Sequence, residues 1–155
     1  MTAPIVVERA DFSDPALARF LQEHLDDMEP TSPPESRHAL DLDGLRRPHV
    51  RLWTATDAGT IVGTVALAGL EPGHEELKSM RTDPLRRGQG IGGLLLDAAL
   101  GDARARGVRR VSLETGSMDF FAPARRLYER AGFVPCAPFG TYTDDPNSAY
   151  FTLVL

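Results

Sequence analysis

The chain has 155 residues, of which 42% are apolar and 25% charged, and its formal net charge is −5. This length fits one domain, residues 1–155, whose core needs neither a disulfide nor a metal. The negative charge argues against nucleic-acid binding, and no apolar run reaches the roughly 20 residues that span a bilayer. The acidic N-terminus lacks a signal-peptide pattern, so we expect a cytoplasmic protein. A single cysteine excludes an intrachain disulfide, and four scattered histidines show no metal-ligand spacing.

The first third of the chain predicts one strand and two helices. Residues Pro4 to Arg9 are typical of a short strand, and Ser13 is predicted to cap a helix that has Pro15 in its first turn. Apolar residues then recur at helical spacing as far as Met28. Three closely spaced prolines end this helix, and a short second helix is predicted over residues 36–42.

The remainder of the chain alternates strands with helices, which is typical of an α/β domain. In chain order we predict a hairpin over residues 50–70, a strand over Glu75–Thr82, a helix from Ile91 to Gly107, a strand over Arg109–Thr115, a helix closed by Gly132, and strands over 133–136 and 148–155. The strand–helix–strand unit from Glu75 to Thr115 predicts a right-handed parallel crossover.

A loop rich in glycine and arginine, Arg86–Gly93, lies at the start of the helix that begins at Ile91. Glycine lets the backbone approach a ligand closely, and the first turn of a helix attracts anions through its free N–H groups. Adjacent arginines add fixed cations. We interpret this loop as a pyrophosphate-binding site; the alternative is a loop whose glycines serve packing and whose arginines are solvated.

The ligand of this loop can be narrowed by its surroundings. Gly88, Gly90 and Gly93 match a dinucleotide fingerprint, and Glu114 lies about where a ribose-binding acid belongs. That fingerprint requires its first glycine directly at the end of a strand, whereas residues 83–87 intervene here. A Walker A loop is excluded because no Gly-Lys-Ser/Thr sequence is present.

Two motifs carry a resemblance to a known family. The residues from Arg87 to Gly92 are similar to its signature, Gln/Arg-x-x-Gly-x-Gly/Ala, and Leu127–Phe133 resembles its second motif at the usual distance. On these motifs the chain is identified as a member of the GNAT family of N-acetyltransferases, and further segments resemble a small bacterial branch of it. The resemblance implies an α/β fold with a mixed, twisted sheet that splays open between strands 4 and 5, flanked by about four helices.

The resemblance also implies a co-substrate, acetyl-CoA, and direct transfer to an amine without a covalent enzyme intermediate or a metal. Main-chain groups on the fourth strand would pair with the pantetheine arm, and the glycine loop would hold the pyrophosphate. The implied contacts are Met80, Arg81 and Thr82 for the arm, and Arg87, Gly88, Gln89, Gly90, Ile91, Gly92 and Gly93 for the pyrophosphate.

Three catalytic roles are carried over from the family. Tyr128 is the candidate acid that protonates the CoA sulfur, the Met80 N–H is the candidate oxyanion donor, and Glu76 is the candidate general base. The alternatives stay open: Tyr128 as a core residue, Glu76 as an ordinary strand-end carboxylate, Glu75, His74, Glu35 or His38 as the base, and deprotonation relayed by water without a single base.

The acceptor is predicted to be the primary amine of a small metabolite. Glu35, His38, Glu114 and Tyr142 are the candidate residues that face it. Phe121 is a departure, because many family members carry there an asparagine that contacts the pantetheine arm. Two other readings are a protein or peptide acetyltransferase and a non-catalytic acyl-CoA-binding module. Homodimers are common in the family, so a homodimer is a further expectation.

Overall fold

The computed structural model describes residues 4–28 and 42–155. The strands are Val6–Arg9 (β1), Val50–Asp57 (β2), Thr60–Glu71 (β3), His74–Thr82 (β4), Arg110–Gly116 (β5), Val134–Pro135 (β6) and Ser148–Val154 (β7). The helices are Pro15–Met28 (α1), Leu42–Leu45 (α2), Ile91–Ala105 (α3) and Ala122–Arg130 (α4), with single 3₁₀ turns at Pro84–Arg86 and Asp119–Phe121.

Local chemistry moves the start of α1 by one residue from the prediction. The N–H and hydroxyl of Ser13 both donate to the Asp11 carboxylate, at 2.9 and 2.6 Å. The Asp14 carboxylate instead accepts from the N–H of Ala16, at 2.9 Å. Asp14 is therefore the cap, and the expectation for Ser13 was wrong. The short helix predicted over 36–42 lies outside the described residues apart from its last one, which begins α2.

One mixed sheet organises the described residues, with the strand order β1-β2-β3-β4-β5-β7-β6. All neighbouring pairs are antiparallel except β4 and β5, which are parallel. A parallel pair needs a crossover connection, and α3 supplies it. The predicted α/β fold class is confirmed.

The β4–β5 pair separates halfway along its length. The two strands pair only from His74 with Arg110 to Leu77 with Leu113. Beyond that point β4 continues along β3 as far as Thr82, and β5 continues along β7 as far as Gly116. The carboxyl-terminal halves of β4 and β5 therefore diverge, which opens the predicted splay.

A bulge in β4 lies at the start of the splay. The register between β3 and β4 shifts between Thr64 and Ala66, and Ser79 takes a φ of +53°. The Thr64 hydroxyl donates to the Ser79 carbonyl at 2.8 Å, which holds the irregular backbone. Bulges bend and twist the strand that carries them, so this one directs the end of β4 away from β5.

The two faces of β4 and β5 differ in character. The face toward α3 carries Leu77, Val111 and Leu113, all buried in the main apolar core. The other face belongs to the smaller core that α1 forms on β2 and β3, since Ala66 and Ala68 of that core pair with Lys78 and Glu76. Strand register places seven polar residues there, which we call the polar stripe: Glu76, Lys78, Arg81, Ser112, Glu114, Tyr150 and Thr152.

Candidate active site

A cleft of about 310 Å³ occupies the splay. Its walls are the end of β4, the glycine loop, the first turn of α3, the start of α4 and the second half of α1. Nine of the ten residues predicted to contact the co-substrate line it: Met80, Arg81, Thr82, Arg87, Gly88, Gly90, Ile91, Gly92 and Gly93. The Gln89 side chain is exposed and accepts from Arg86 Nε at 2.9 Å.

The glycine loop leaves the start of α3 open toward this cleft. Gly90 caps the helix with a φ of +80° and supplies no side-chain hydrogen bond, so the first N–H groups of α3 stay available to a ligand. A Cβ on Gly92 would lie 3.0 Å from Leu127 Cδ2, whereas a Cβ on Gly93 would meet nothing within 4 Å. This geometry fits a pyrophosphate.

The two arginines of the loop have different surroundings. Arg86 donates to the Asp57 carboxylate at 2.6 Å and to Gln89, and so ties the loop to the β2–β3 hairpin. Arg87 is exposed and lines the cleft. The structure thus places a cation at the cleft where a phosphate would need one.

The end of β4 offers main-chain groups to the cleft. Pairing with β5 ends at Leu77, so the peptide groups from Lys78 to Thr82 have no strand partner on that side. The bulge at Ser79 immediately precedes Met80. These unpaired groups fit the amides of a pantetheine arm, and the Met80 N–H follows the bulge as an oxyanion donor requires. Its role stays a prediction.

Tyr128 is a buried side chain on α4. Its ring packs edge-to-face against Phe133, with centroids 5.8 Å apart, while its neighbour Leu127 lines the cleft. Burial raises the pKa of Tyr128 above its usual value, and the charge of Glu114 raises it further. The phenol is therefore a neutral donor at physiological pH. Both predicted roles, core residue and acid, are compatible with this position.

Glu76, Lys78 and Tyr142 form a closed cluster in and beside the polar stripe. Glu76 Oε2 accepts from Lys78 Nζ at 3.2 Å and from the Tyr142 hydroxyl at 2.5 Å. Lys78 Nζ also donates to the Tyr142 hydroxyl at 3.1 Å. Burial, and next the charge of Glu76, raise the pKa of Tyr142, so its hydroxyl stays protonated and donates. Glu76 and Tyr142 thus lie together, as a shared acceptor site would require.

Glu114 is the other carboxylate of the stripe. Burial raises its pKa from 4.5 to about 7, and the charges of Glu76 and Asp145 act in the same direction. The nearby Ser148 hydroxyl and the charge of Lys78 act in the opposite direction. A carboxyl group with such a pKa exchanges its proton near neutral pH. The sequence shows Glu114 but not this property, which depends on burial.

On the α1 side of the cleft, the predicted contact Arg81 lies beside two residues that the sequence did not single out, His24 and Asp27. Arg81 donates to Asp27 at 2.7 Å and lies over the Phe20 ring at 5.3 Å, while its buried Nε has no partner within the described residues. Burial, and next the charge of Arg81, lower the pKa of His24 to about 4. His24 and Asp27 stand three residues apart, so helical spacing could have indicated that both face β4.

Two of the predicted acceptor residues, Glu35 and His38, lie outside the described residues. Phe121 lines the cleft and covers Gly116, where a Cβ would come within about 2.0 Å of the ring.

Within residues 4–28 and 42–155, no group of three or more His, Cys, Asp or Glu side chains is placed to hold a metal ion. Across the same residues, no helix is long and apolar enough to cross a membrane.

Comparison with known proteins agrees with this geometry. A model of the acetyltransferase (GNAT) family matches residues 17–133. An N-acetyltransferase named YsnE from Bacillus subtilis is 43% identical over 142 residues, which cover 92% of this chain and 94% of the relative. The N-acetyltransferase YedL from Escherichia coli is 39% identical over 96% of this chain and 94% of its own length. The chain therefore belongs to the GNAT family.

Solved structures extend the likeness to the whole fold. A crystal structure from Klebsiella pneumoniae, assigned as an acyl-CoA N-acyltransferase, is 30% identical with a TM-score of 0.81 and covers 97% of both chains. PaiA N-acetyltransferase from Thermoplasma acidophilum, in complex with coenzyme A, shares the fold at a TM-score of 0.75 and 14% identity, over 98% and 99% of the two chains. The prediction of an acetyl-CoA-dependent acyltransferase is confirmed.

Proposed function

We propose that this enzyme transfers acetyl from acetyl-CoA to the primary amine of a small metabolite. The observation that carries the proposal is the splay between β4 and β5. The glycine loop and the start of α3, which fit a pyrophosphate, lie at one end of it, and the polar stripe lies at the other. The thioester supplies an activated acetyl group between them. The amine would approach from the stripe, where the α1 side of the sheet is polar.

The charges beside the splay support a cationic acceptor. The charges of Glu76, Asp145 and Lys78 all act on Glu114, so the carboxylates around it outnumber the ammonium. A surplus of carboxylates attracts an ammonium group by Coulomb's law. A peptide amine would satisfy the same charges; the choice of a small metabolite as acceptor, and the expected homodimer, rest on the family resemblance.

Three groups of the chain would each take one role in the transfer reaction. The Met80 N–H would donate to the carbonyl oxygen as negative charge develops on it. Tyr128, kept protonated by burial, would give its proton to the departing sulfur. Glu76 is the base that the sequence suggests, and a proton acceptor near the amine is needed because an ammonium nitrogen has no free electron pair.

Replacing Tyr128 with phenylalanine tests the proposal. The ring stays buried against Phe133, and only the hydroxyl is lost. We expect thiol release from acetyl-CoA with a panel of primary amines to fall about 100-fold, while calorimetry shows unchanged acetyl-CoA affinity.

A control that also removes one hydroxyl is Ser13→Ala, since Ser13 donates to the Asp11 carboxylate before the start of α1 and does not line the cleft. Equal losses in both variants, or unchanged turnover in Tyr128→Phe, would remove Tyr128 from the mechanism. A wild-type chain that binds acetyl-CoA but acetylates no amine would favour a binding module.

A further inference from the structure

Glu114 lies on β5 where the pairing between β4 and β5 ends. It is the first β5 residue after the last β4–β5 pair, Leu77 with Leu113. Its side chain lies on the polar stripe, since it pairs with Tyr150 and alternates with Leu113 of the apolar core. The carboxyl group is therefore held where the splay begins, on the side from which an acceptor amine would enter.

Glu76, the base suggested by sequence, is already engaged. Its Oε2 accepts from the Lys78 ammonium and from the Tyr142 hydroxyl. The side chains of Glu76 and Lys78 are only 9% and 11% exposed. A proton taken up by Glu76 at either oxygen would leave the buried Lys78 ammonium without its anionic partner. Glu76 thus suits the role of a fixed negative charge.

The surroundings of Glu114 favour reversible protonation of its carboxyl group. Titratable and charged groups face it from β4, α4, the loop after β6, and β7: Glu76, Lys78, Tyr128, Tyr142, Asp145 and Tyr150. Only Lys78 among them is a cation, and Glu76 already neutralises it. The pKa of about 7 that results from burial leaves Glu114 partly ionised at neutral pH, as a general base requires.

We propose that Glu114 accepts the proton that the acceptor ammonium loses before its nitrogen attacks the thioester, and that Glu76 is a positioning residue. This rests on the proposed function. An N–H bond breaks and its proton moves to Glu114, then to solvent. The freed electron pair forms the C–N bond as the C–S bond breaks. The nitrogen loses its second proton as the amide forms, which balances the proton that the sulfur gains from Tyr128.

The test compares two kinds of nucleophile on the full chain. Benzylamine and putrescine are protonated at neutral pH and need a base, whereas hydroxylamine is largely unprotonated and needs none. Thiol release from acetyl-CoA is followed from pH 5.5 to 9 for the wild-type chain, Glu114→Gln and Glu76→Gln. Asp97→Asn, on the exposed side of α3, removes one carboxylate away from the cleft. Enzyme-free rates are subtracted.

We expect the wild-type rate with the alkylamines to rise with pH through a midpoint near 7, the pKa of Glu114. Glu114→Gln should lose at least about 100-fold with them together with that midpoint, but keep hydroxylamine turnover and acetyl-CoA affinity. Glu76→Gln should lose turnover but still show a midpoint, shifted to lower pH, because the charge of Glu76 raises the pKa of Glu114. Asp97→Asn should match the wild type.

Three results would overturn the proposal, and one of them separates it from the proposed function. If Glu114→Gln keeps alkylamine turnover, another group takes the proton. If it loses hydroxylamine turnover to the same extent, Glu114 has a structural role. If the wild-type chain releases no thiol above the enzyme-free rate with any of the three nucleophiles, amine acetylation itself fails, and the role of Glu114 fails with it.

Discussion

The two faces of β4 and β5 carry side chains of opposite character, apolar on one face and polar on the other. Toward α3, Leu77, Val111 and Leu113 are at most 3% exposed and belong to the main apolar core. Toward α1, the residues that alternate with them are Glu76, Ser112 and Glu114. Side chains point alternately to the two faces of a strand, so a shift of one residue separates the groups that hold the fold from those available for chemistry.

Folding partly removes the charged groups of the polar face from water, which costs desolvation free energy. The apolar face has no such groups. Glu76 is compensated by Lys78 and Tyr142. Glu114 has less compensation, and its raised pKa reports this. The comparison therefore predicts that changes on the apolar face reduce stability, whereas a change at Glu114 reduces activity and increases stability.

Leu113→Ala should have the largest effect on stability. Leu113 is 1% exposed, so truncation leaves a cavity and should lower the free energy of unfolding by about 2–5 kcal/mol. Urea unfolding followed by circular dichroism measures it. Val154→Ala is the control, because Val154 is 68% exposed and should change stability by less than about 0.5 kcal/mol. Similar losses in the two variants would refute the assignment of this face to the core.

Glu114→Gln should have a smaller effect of opposite sign. The folded chain raises the pKa of Glu114 from 4.5 to about 7, so its favourable contribution is complete below pH 4.5 and is lost as pH rises through 7. Glutamine cannot ionise and escapes that loss. The variant should exceed the wild type above pH 7, by at most about 3 kcal/mol, and by much less near pH 4.

Urea unfolding of both chains at pH 4.5, 6 and 8 measures this difference. Asp97→Asn serves again as the control, because it removes one exposed carboxylate away from the cleft and should change stability by less than about 0.5 kcal/mol. A Glu114→Gln variant that is less stable than the wild type at pH 8 would show that the charged carboxylate is stabilised by the fold.

Much of the fold was predictable from sequence because its signals are local. The hairpin over residues 50–70, the helical spacing after Ile91 and the glycines at 88–93 each have a local sequence signal of their own. The motifs at Arg87–Gly92 and Leu127–Phe133 identify the family, and the structure then places the glycines at the start of α3 beside the splay.

The remaining features depend on contacts between distant residues. The bond between Tyr142 and Glu76 joins residues 66 positions apart, and no local pattern predicts it. The pKa of Glu114 depends on its burial and on the charges of Glu76, Lys78 and Asp145, two of which lie on another strand and one in a distant loop. The cap of α1 was assigned to Ser13 because two competing acceptors, Asp11 and Asp14, flank it, and only the backbone geometry decides between them.

The central claim is that the start of α3 holds the pyrophosphate of acetyl-CoA at the splay. Calorimetric titration of acetyl-CoA, with NADH as a control, into the wild-type chain, Gly93→Glu and Gly101→Glu tests it most directly. Both variants add one carboxylate to α3 at a position where a Cβ meets nothing within 4 Å, and both replace glycine by a better helix former. Of these two glycines, Gly93 lines the cleft and Gly101 does not.

We predict that the wild-type chain and Gly101→Glu bind acetyl-CoA with equal affinity and do not bind NADH. Gly93→Glu should lose at least about 100-fold in affinity, because its carboxylate would lie against the phosphates. Equal acetyl-CoA affinity in all three chains, or preference of the wild type for NADH, would contradict the account.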